Sequence, residues 1–367
     1  MTSTEAFSST ASQPADPLVT LGAELRRQLA TKRDMIADTR RVTFCEPDDG
    51  ERGDTTVCVD LDTGVEEFEI TQHAHGQIAT HLDIPTKLYR RLHGDHPDLL
   101  GGLVNGLFQR EPSKRMLRTI DGTVRAFLSD RYRPRDNWDL LDQAVLPVLR
   151  DHPGTVEFKE CSLSETRMYV KIVLPGHEQP ITPREGDVLR GGLIVKNSEV
   201  GAGSLVIAPY TDVLVCRNGM IHTEYGQAQR HVGKRIDADD EAAREFFSDE
   251  TIRLDDEAFF AKCRDVVRAV MDESVFQAIA RQMRDLAEIR IDGSPVDAVQ
   301  ILADRHGLTE AESGSILNAL IDGGSRSAWG YVNAITRTAR DLDDVDRRAE
   351  LEDLAGQMAA RPELVAV

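Results

Sequence analysis

The residue types best suited to chemistry are arginines, which concentrate between Gln109 and Arg135. This segment contains eight basic and three acidic residues, so its net charge is +5, whereas the whole chain of 367 residues carries −19. A guanidinium group forms paired hydrogen bonds with phosphate or carboxylate oxygens. The local excess of arginine therefore predicts either an anion site or a set of internal ion pairs with the acidic remainder of the chain.

The dipeptide Asp121-Gly122 lies between two β-prone runs and predicts a hairpin with a two-residue turn. That turn places Arg118 opposite Arg125. Side chains alternate between the two faces of a strand, so both arginines are predicted to face outward. The residues predicted to face the core are Leu117, Thr119, Val124, Ala126 and Leu128. Two facing arginines repel each other, so we expect carboxylates or an anionic ligand between them.

Aromatic residues alternate with these arginines, which is typical of a surface that binds single-stranded nucleic acid. Arginine holds the phosphate backbone, and an exposed aromatic ring stacks on a base. The residues predicted to form such a groove are Arg115, Arg118, Arg125, Phe127, Arg131, Tyr132, Arg133 and Arg135. The alternative, in which carboxylates of the same chain satisfy these arginines, stays open.

A glycine-containing segment, 197–204, is the second candidate site. Its candidate residues are Asn197, Ser198, Glu199, Gly201 and Gly203. Two glycines between strands can form a nest of N–H groups that binds an anion. The segment lacks the features of a phosphate-binding P-loop and of a dinucleotide fingerprint, so a tight turn is the favoured interpretation. We also expect its polar residues to share a groove with the arginine hairpin.

Histidines and cysteines give weaker signals. His73 and His75 have the spacing of a metal-binding pair on a strand, but no further ligand motif accompanies them. We therefore favour a helix that begins after Thr71, and we expect no metal site. The five cysteines form no CxxC pair and their number is odd, which favours reduced thiols in a cytoplasmic protein.

Four segments carry a family resemblance. They are RTIDGTVRAFLSDRYRPRDN (118–137), NSEVGAGS (197–204), CRNGM (216–220) and NAIT (333–336). They resemble an uncharacterised phage- and plasmid-borne family, usually called phage/plasmid-like proteins or a domain of unknown function. The family name implies a mobile-element setting and no reaction. By analogy the chain looks distantly similar to the RecT, Redβ and Erf annealing proteins, and that similarity implies homo-oligomers.

The elements that position these residues indicate an α+β protein. We predict a disordered tail over 1–16, a strand-rich core domain with β-hairpins and interspersed helices over 17–235, and an acidic all-helical domain over 236–367. The last segment has 15 basic and 29 acidic residues, a net charge of −14. No run is long and apolar enough for a transmembrane helix, so we expect no membrane association.

The motifs favour a binding protein over an enzyme, because nucleotide-binding and nucleophile motifs are absent. We expect a cytoplasmic protein of a phage, plasmid or integrated element that binds or anneals single-stranded DNA without a cofactor. The acidic C-terminal region would reduce nonspecific binding or recruit a protein partner. The alternative is an enzyme that acts on a phosphorylated small molecule or nucleic acid near Asn197 and Glu199. A third class is a structural or regulatory protein with internally paired arginines.

Overall fold

The computed structural model describes residues 16–45, 55–182, 187–214, 218–229 and 248–361. All of the predicted tail except Asp16 lies outside these residues, and so does the predicted domain boundary near residue 235. Strands predominate before that boundary and helices after it. The predicted α+β class is therefore confirmed.

A first sheet contains six strands with the spatial order β1-β5-β6-β4-β3-β2. Its strands are β1 (Arg33–Asp38), β2 (Val42–Cys45), β3 (Thr56–Leu61), β4 (Gly64–Ile70), β5 (Lys114–Ile120) and β6 (Thr123–Ser129). Neighbouring strands are antiparallel except β4 and β6, which are parallel. The chain therefore leaves the sheet through helices between β4 and β5 before it returns to complete the sheet.

One face of this sheet is covered by the helices α2 (Gln72–His81), α3 (Thr86–Asp95) and α4 (Pro97–Arg110). Helix α1 (Pro17–Thr31) precedes the first strand in the chain. As predicted, Thr71 is the N-cap of α2, because its hydroxyl accepts a hydrogen bond from the Ala74 N–H. Apolar residues of α2 and α4, such as Ile78 and Val104, pack against strand residues such as Leu117.

The predicted hairpin with Asp121-Gly122 at its tip is present, and both residues have positive φ, 50° and 79°. The predicted pairing beyond the turn is wrong. Thr119 pairs with Val124, but Arg118 pairs with Ala126, so a β-bulge leaves Arg125 as the extra residue. Arg118 and Arg125 therefore do not face each other directly.

The bulge exchanges the two faces of β6. Phe127 packs with Leu117 in the core beneath the helices, whereas Ala126 and Leu128 pack on the opposite face. That opposite face is covered by Val200 of a later loop. Both faces of the hairpin are thus buried. The prediction that Arg118 and Arg125 lie on an open outer face is therefore wrong, because the loop after β9 covers that face.

A second sheet is an antiparallel meander with the order β11-β10-β9-β8-β7, and β12 pairs with β10. Its strands are β7 (Glu157–Leu163), β8 (Met168–Pro180), β9 (Val188–Asn197), β10 (Leu205–Val213), β11 (Asn218–Ile221) and β12 (Gln227–Gln229). A broken helix precedes it: α5 (Asn137–Leu140), a π-helical turn (Leu141–Val145) and α6 (Leu146–Asp151). The wider turn accommodates Pro147, which cannot donate a backbone hydrogen bond.

The described part of the C-terminal segment contains the helices α7 (Asp249–Val270), α8 (Glu273–Glu288), α9 (Pro295–His306), α10 (Glu310–Gly323), α11 (Ala328–Arg340) and α12 (Val345–Ala360). Of these, α7, α8, α11 and α12 pack directly on the second sheet, whereas α9 and α10 pack against other helices. Val267 of α7 shares one core with Ile172, and Phe276 of α8 shares another with Leu189. The independence of 236–367 stays a prediction, but this shared packing does not support it.

Cys45 and Cys58 form a disulfide between β2 and β3. The prediction of reduced thiols is wrong for this pair, while Cys161 and Cys263 are free. The two half-cystines meet because Thr43 pairs with Cys58 and Cys45 with Thr56, which puts both cysteines on one face. Among the described residues, no helix combines the length and apolarity needed to cross a bilayer.

Candidate functional site

A cluster of six charged side chains lies where the two sheets meet. Its cations are Lys32, Arg118 and Arg125, and its anions are Asp34, Asp136 and Glu199. The end of α1, strands β1, β5 and β6, the segment before α5 and the loop after β9 each supply a member. The balance of three positive and three negative charges allows the cluster to be buried.

Arg118 is the centre of this charge cluster, and its side chain has no exposed surface. Its Nε donates to Asp34 Oδ1 at 2.8 Å, its Nη2 to Asp136 Oδ1 at 2.7 Å and its Nη1 to the carbonyl of Glu199 at 2.8 Å. These acceptors raise the pKa of Arg118, although burial alone would lower it. Carboxylates of the same chain thus accompany the arginines, which is one of the two predicted arrangements.

Glu199 joins the hairpin to α1 and α5. Its Oε1 accepts hydrogen bonds from Lys32 Nζ at 2.9 Å and from the Asn137 N–H at 2.7 Å, and its Oε2 accepts one from Arg125 Nη2 at 2.9 Å. Burial and the nearby Asp136 raise the pKa of Glu199, but Lys32 and Arg125 more than offset both, and the pKa lies below its usual range. The carboxylate is ionised, and both of its oxygens accept hydrogen bonds.

The loop that carries Glu199 is held by its own short contacts, and the predicted tight turn is present. Ser198 Oγ accepts a hydrogen bond from the Ala202 N–H at 2.9 Å, and Gly201 has φ +76°. A Cβ at Gly201 would lie 2.7 Å from Leu128, so both conformation and space require glycine. A Cβ at Gly203 would lie 3.2 Å from Arg167 Nε.

Asn197 fixes the start of this loop against the segment before α5. Its Nδ2 donates to the carbonyl of Arg135 and to Asn137 Oδ1, both at 2.8 Å. The loop meets the arginine hairpin through Glu199, which contacts Arg118 and Arg125, whereas Asn197 contacts the segment before α5. Lys32, Asp34 and Asp136 complete the site, but no short-range sequence signal distinguished them from other charged residues.

The remaining residues predicted to bind nucleic acid do not form one basic face. Phe127 is buried and stacks on Phe108 with ring centroids 5.7 Å apart, and the buried Tyr132 hydroxyl donates to the carbonyl of Ser198. Arg133 and Arg135 pair with Asp255 and Asp256 of α7. Arg115 contacts His81, and Arg131 is exposed. Burial of both rings removes them as stacking platforms in this conformation.

The two histidines with metal-pair spacing, His73 and His75, serve packing. His73 Nε2 contacts the Val200 carbonyl at 2.9 Å, and His75 Nδ1 contacts the Tyr89 hydroxyl at 2.8 Å. Burial, with the neighbouring His93, lowers the pKa of His75 to about 3, so its imidazole is neutral. Within the ranges that the structure describes, no cluster of three or more His, Cys, Asp or Glu residues has metal-site geometry.

A cavity of about 190 Å³ lies beside the charge cluster, between α1, the hairpin and the β7–β8 turn; we call it the Arg125 cavity. Its lining residues are Gln28, Ile120, Arg125, Asn137, Leu163, Ser164, Glu165, Thr166 and Arg167. Arg125 Nε and Gln28 Oε1 are buried and have no hydrogen-bond partner among the described residues. Arg167 donates to the carbonyl of Ala202 at 2.6 Å and lies 3.8 Å from Asp346. Two guanidinium groups thus line one small cavity.

No protein-family model matches the chain, and neither a curated protein sequence nor a solved structure was found to match it. The resemblance to phage/plasmid-like proteins therefore stays a prediction. The argument for function depends on the charge cluster and the Arg125 cavity.

Proposed function

We propose that the protein binds a small ligand that carries a phosphate or a similarly compact anion in the Arg125 cavity. The observation that carries this proposal is the presence of Arg125 and Arg167 in the lining of one cavity. Arg125 uses Nη2 for Glu199, while its buried Nε has no partner in the part of the chain that the structure describes. A buried donor without an acceptor is costly, and a bound anion would satisfy it.

The size of the cavity limits the ligand. Its volume of about 190 Å³ is below the range of roughly 300–1,000 Å³ that drug-sized ligands occupy. A phosphate group with a short carbon skeleton, such as a sugar phosphate, suits this space better than a dinucleotide. The guanidinium forks would take the phosphate, and the hydroxyls of the β7–β8 turn would lie near the remainder of the ligand.

Binding without turnover fits the side chains around the cavity. Glu199 is held by Lys32 and Arg125, which leaves it unsuited to proton transfer. The hydroxyls of Ser164 and Thr166 both donate to Asp346. The described lining of the cavity contains no histidine and no cysteine, the usual base and the most reactive nucleophile of covalent catalysis. The proposal is therefore a ligand-binding protein.

Isothermal titration calorimetry tests the proposal with inorganic phosphate and ribose 5-phosphate at constant ionic strength. Arg167→Gln should weaken binding by about 10-fold or more, since hydrogen bonds to charged groups contribute roughly 1.5–3 kcal/mol. Arg125→Lys keeps a charge beside Glu199 but loses the fork, and it should also weaken binding. Arg290→Gln is the control, because Arg290 is exposed and lies outside the cavity.

Two outcomes would overturn the proposal. One is the absence of binding for both phosphates at about 5 mM, a concentration that would reveal even very weak complexes. The other is an equal loss of affinity in the Arg167→Gln and Arg290→Gln proteins. A labelled single-stranded oligonucleotide forms a separate arm. If it binds tightly and Arg167→Gln leaves its affinity unchanged, the nucleic-acid prediction gains support over the cavity.

A further inference from the structure

A second and larger cavity lies between α10 and α11, far along the chain from the Arg125 cavity. Its volume is about 420 Å³, and its lining includes Ser315, Asn318, Asp322, Arg337, Thr338 and Asp341. We call it the α10–α11 cavity. Unlike the Arg125 cavity, its volume lies in the range of roughly 300–1,000 Å³ that is typical of small-molecule sites.

The polar groups of this cavity divide into those that the protein satisfies and those that it does not. Both carboxylate oxygens of Glu312, another lining residue, accept hydrogen bonds from Arg347, and Asp341 accepts one from Arg340. Within the described parts of the chain, the side chain of Arg337 has neither a hydrogen bond nor an ion pair. The same holds for the side chain of Asn318 there.

Arg337 is the group that most needs a partner. It is half-buried in the wall of a cavity, where a guanidinium without an anion is less well solvated than at an open surface. The neighbouring Thr338 is 5% exposed, and its buried hydroxyl also lacks a hydrogen-bond partner among the described residues. These two adjacent residues make their part of the lining a suitable place for an anionic group.

The other charges of the cavity restrict the kind of anion. Asp322 lines the same cavity and, among the described residues, has no cationic partner, and Asp341 adds a further carboxylate. These negative charges would repel a dianionic phosphate. A molecule with one carboxylate and one ammonium group has no net charge and can complement both Arg337 and Asp322.

We propose that the α10–α11 cavity binds a free α-amino acid. The Arg337 guanidinium of α11 receives the carboxylate, and Asp322 of α10 attracts the ammonium group. The amide of Asn318 and the hydroxyl of Ser315 are available to a polar side chain of the ligand. The proposal does not depend on the Arg125 cavity, because the two cavities share no lining residue.

The first experiment titrates the full-length protein by calorimetry with each of the common L-amino acids. The amino acid that binds best is then compared with its N-acetyl derivative, which lacks the ammonium group, and with its carboxamide, which lacks the carboxylate. We expect both derivatives to bind at least about 10-fold more weakly, since each loses a charged hydrogen bond. The proposal fails if no amino acid binds, or if the carboxamide or the N-acetyl derivative binds as tightly as its parent.

Matched variants locate the binding. Arg337→Gln should lower the affinity for the amino acid at least 10-fold, and Arg337→Lys should lower it less. Because Arg337 has no partner in the described protein, its replacement should leave the melting temperature unchanged. Arg167→Gln in the Arg125 cavity and the exposed Arg290→Gln are the controls and should bind the amino acid normally. Unchanged affinity in Arg337→Gln would overturn the assignment of the site, whatever the result for phosphate.

Discussion

At the scale of single residues, Arg118 was predicted to face outward but is buried at the centre of the charge cluster. Its three guanidinium nitrogens each donate one hydrogen bond, and its partners include Asp34 and Asp136. The pKa of Asp136 lies below its usual range, because Arg118 and Lys32 outweigh the opposing effect of burial. A lowered folded-state pKa stabilises the fold above the unfolded-state pKa, and this contribution is lost as the pH falls through the folded-state pKa.

Arg118→Met should destabilise the protein by about 3–5 kcal/mol, because it leaves buried carboxylates without their cation. Urea denaturation at neutral pH measures the loss. The double variant Arg118→Met/Asp136→Asn should recover part of it, since one uncompensated charge disappears. Arg290→Gln, at an exposed site, is the control. A loss below about 1 kcal/mol for Arg118→Met would show that the cluster is open to water in solution.

At the scale of elements, the first sheet is held by contacts that join strands distant from one another in sequence. The bulge in β6 directs Phe127 into the helical side of the core and Leu128 toward the loop after β9. At the far edge, the disulfide connects β2 to β3 across a sequence separation of 13 residues. The disulfide stabilises this edge strand, which pairs only with β3.

Reduction of Cys45–Cys58 should lower the free energy of unfolding by about 3 kcal/mol, from the loop entropy that the cross-link removes from the unfolded chain. Denaturation with and without a reductant measures the difference. The double variant Cys45→Ser/Cys58→Ser should show no effect of the reductant, whereas Cys161→Ser, which alters a free thiol, should keep the full effect. Equal stability of oxidised and reduced wild-type protein would contradict the prediction.

At the scale of the whole molecule, the C-terminal helices complete the second sheet. Lys171 of β8 is buried between Glu160 and Glu352 of α12, with N–O distances of 2.9 and 2.8 Å. α12 also approaches β11 so closely that a Cβ at Gly356 would lie 1.7 Å from the Ile221 carbonyl oxygen. The helical segment is therefore part of the core of the strand-rich segment.

A fragment that ends at residue 235 should fail to fold, in contrast to the independence that the charge pattern suggests. Its second sheet would expose the apolar surfaces that α7, α8, α11 and α12 cover, and Lys171 would lose Glu352. Near-ultraviolet circular dichroism and amide dispersion in NMR spectra compare the fragment with the full chain. A fragment with native-like spectra and a cooperative unfolding transition would restore the predicted boundary.

The sequence by itself determined the features that depend on residues a few positions apart. The turn at Asp121-Gly122 and the cap at Thr71 were both predictable, because each needs only local backbone conformation and one short contact. The α+β class followed from the distribution of strand and helix patterns. These signals depend on periodicity and propensity and carry little information about distant partners.

Only the tertiary structure decided what the arginines contact. Arg118 meets Asp34 from 84 residues away and the Glu199 carbonyl from 81 residues away. The bulge places Phe127 against Phe108 of α4 and Leu128 against Val200 of the loop after β9, and no local pattern encodes these contacts. A charged residue has the same local sequence signal whether it faces solvent, a ligand or a buried carboxylate. Its role is fixed by the opposing charges and the dielectric surroundings that folding brings to it.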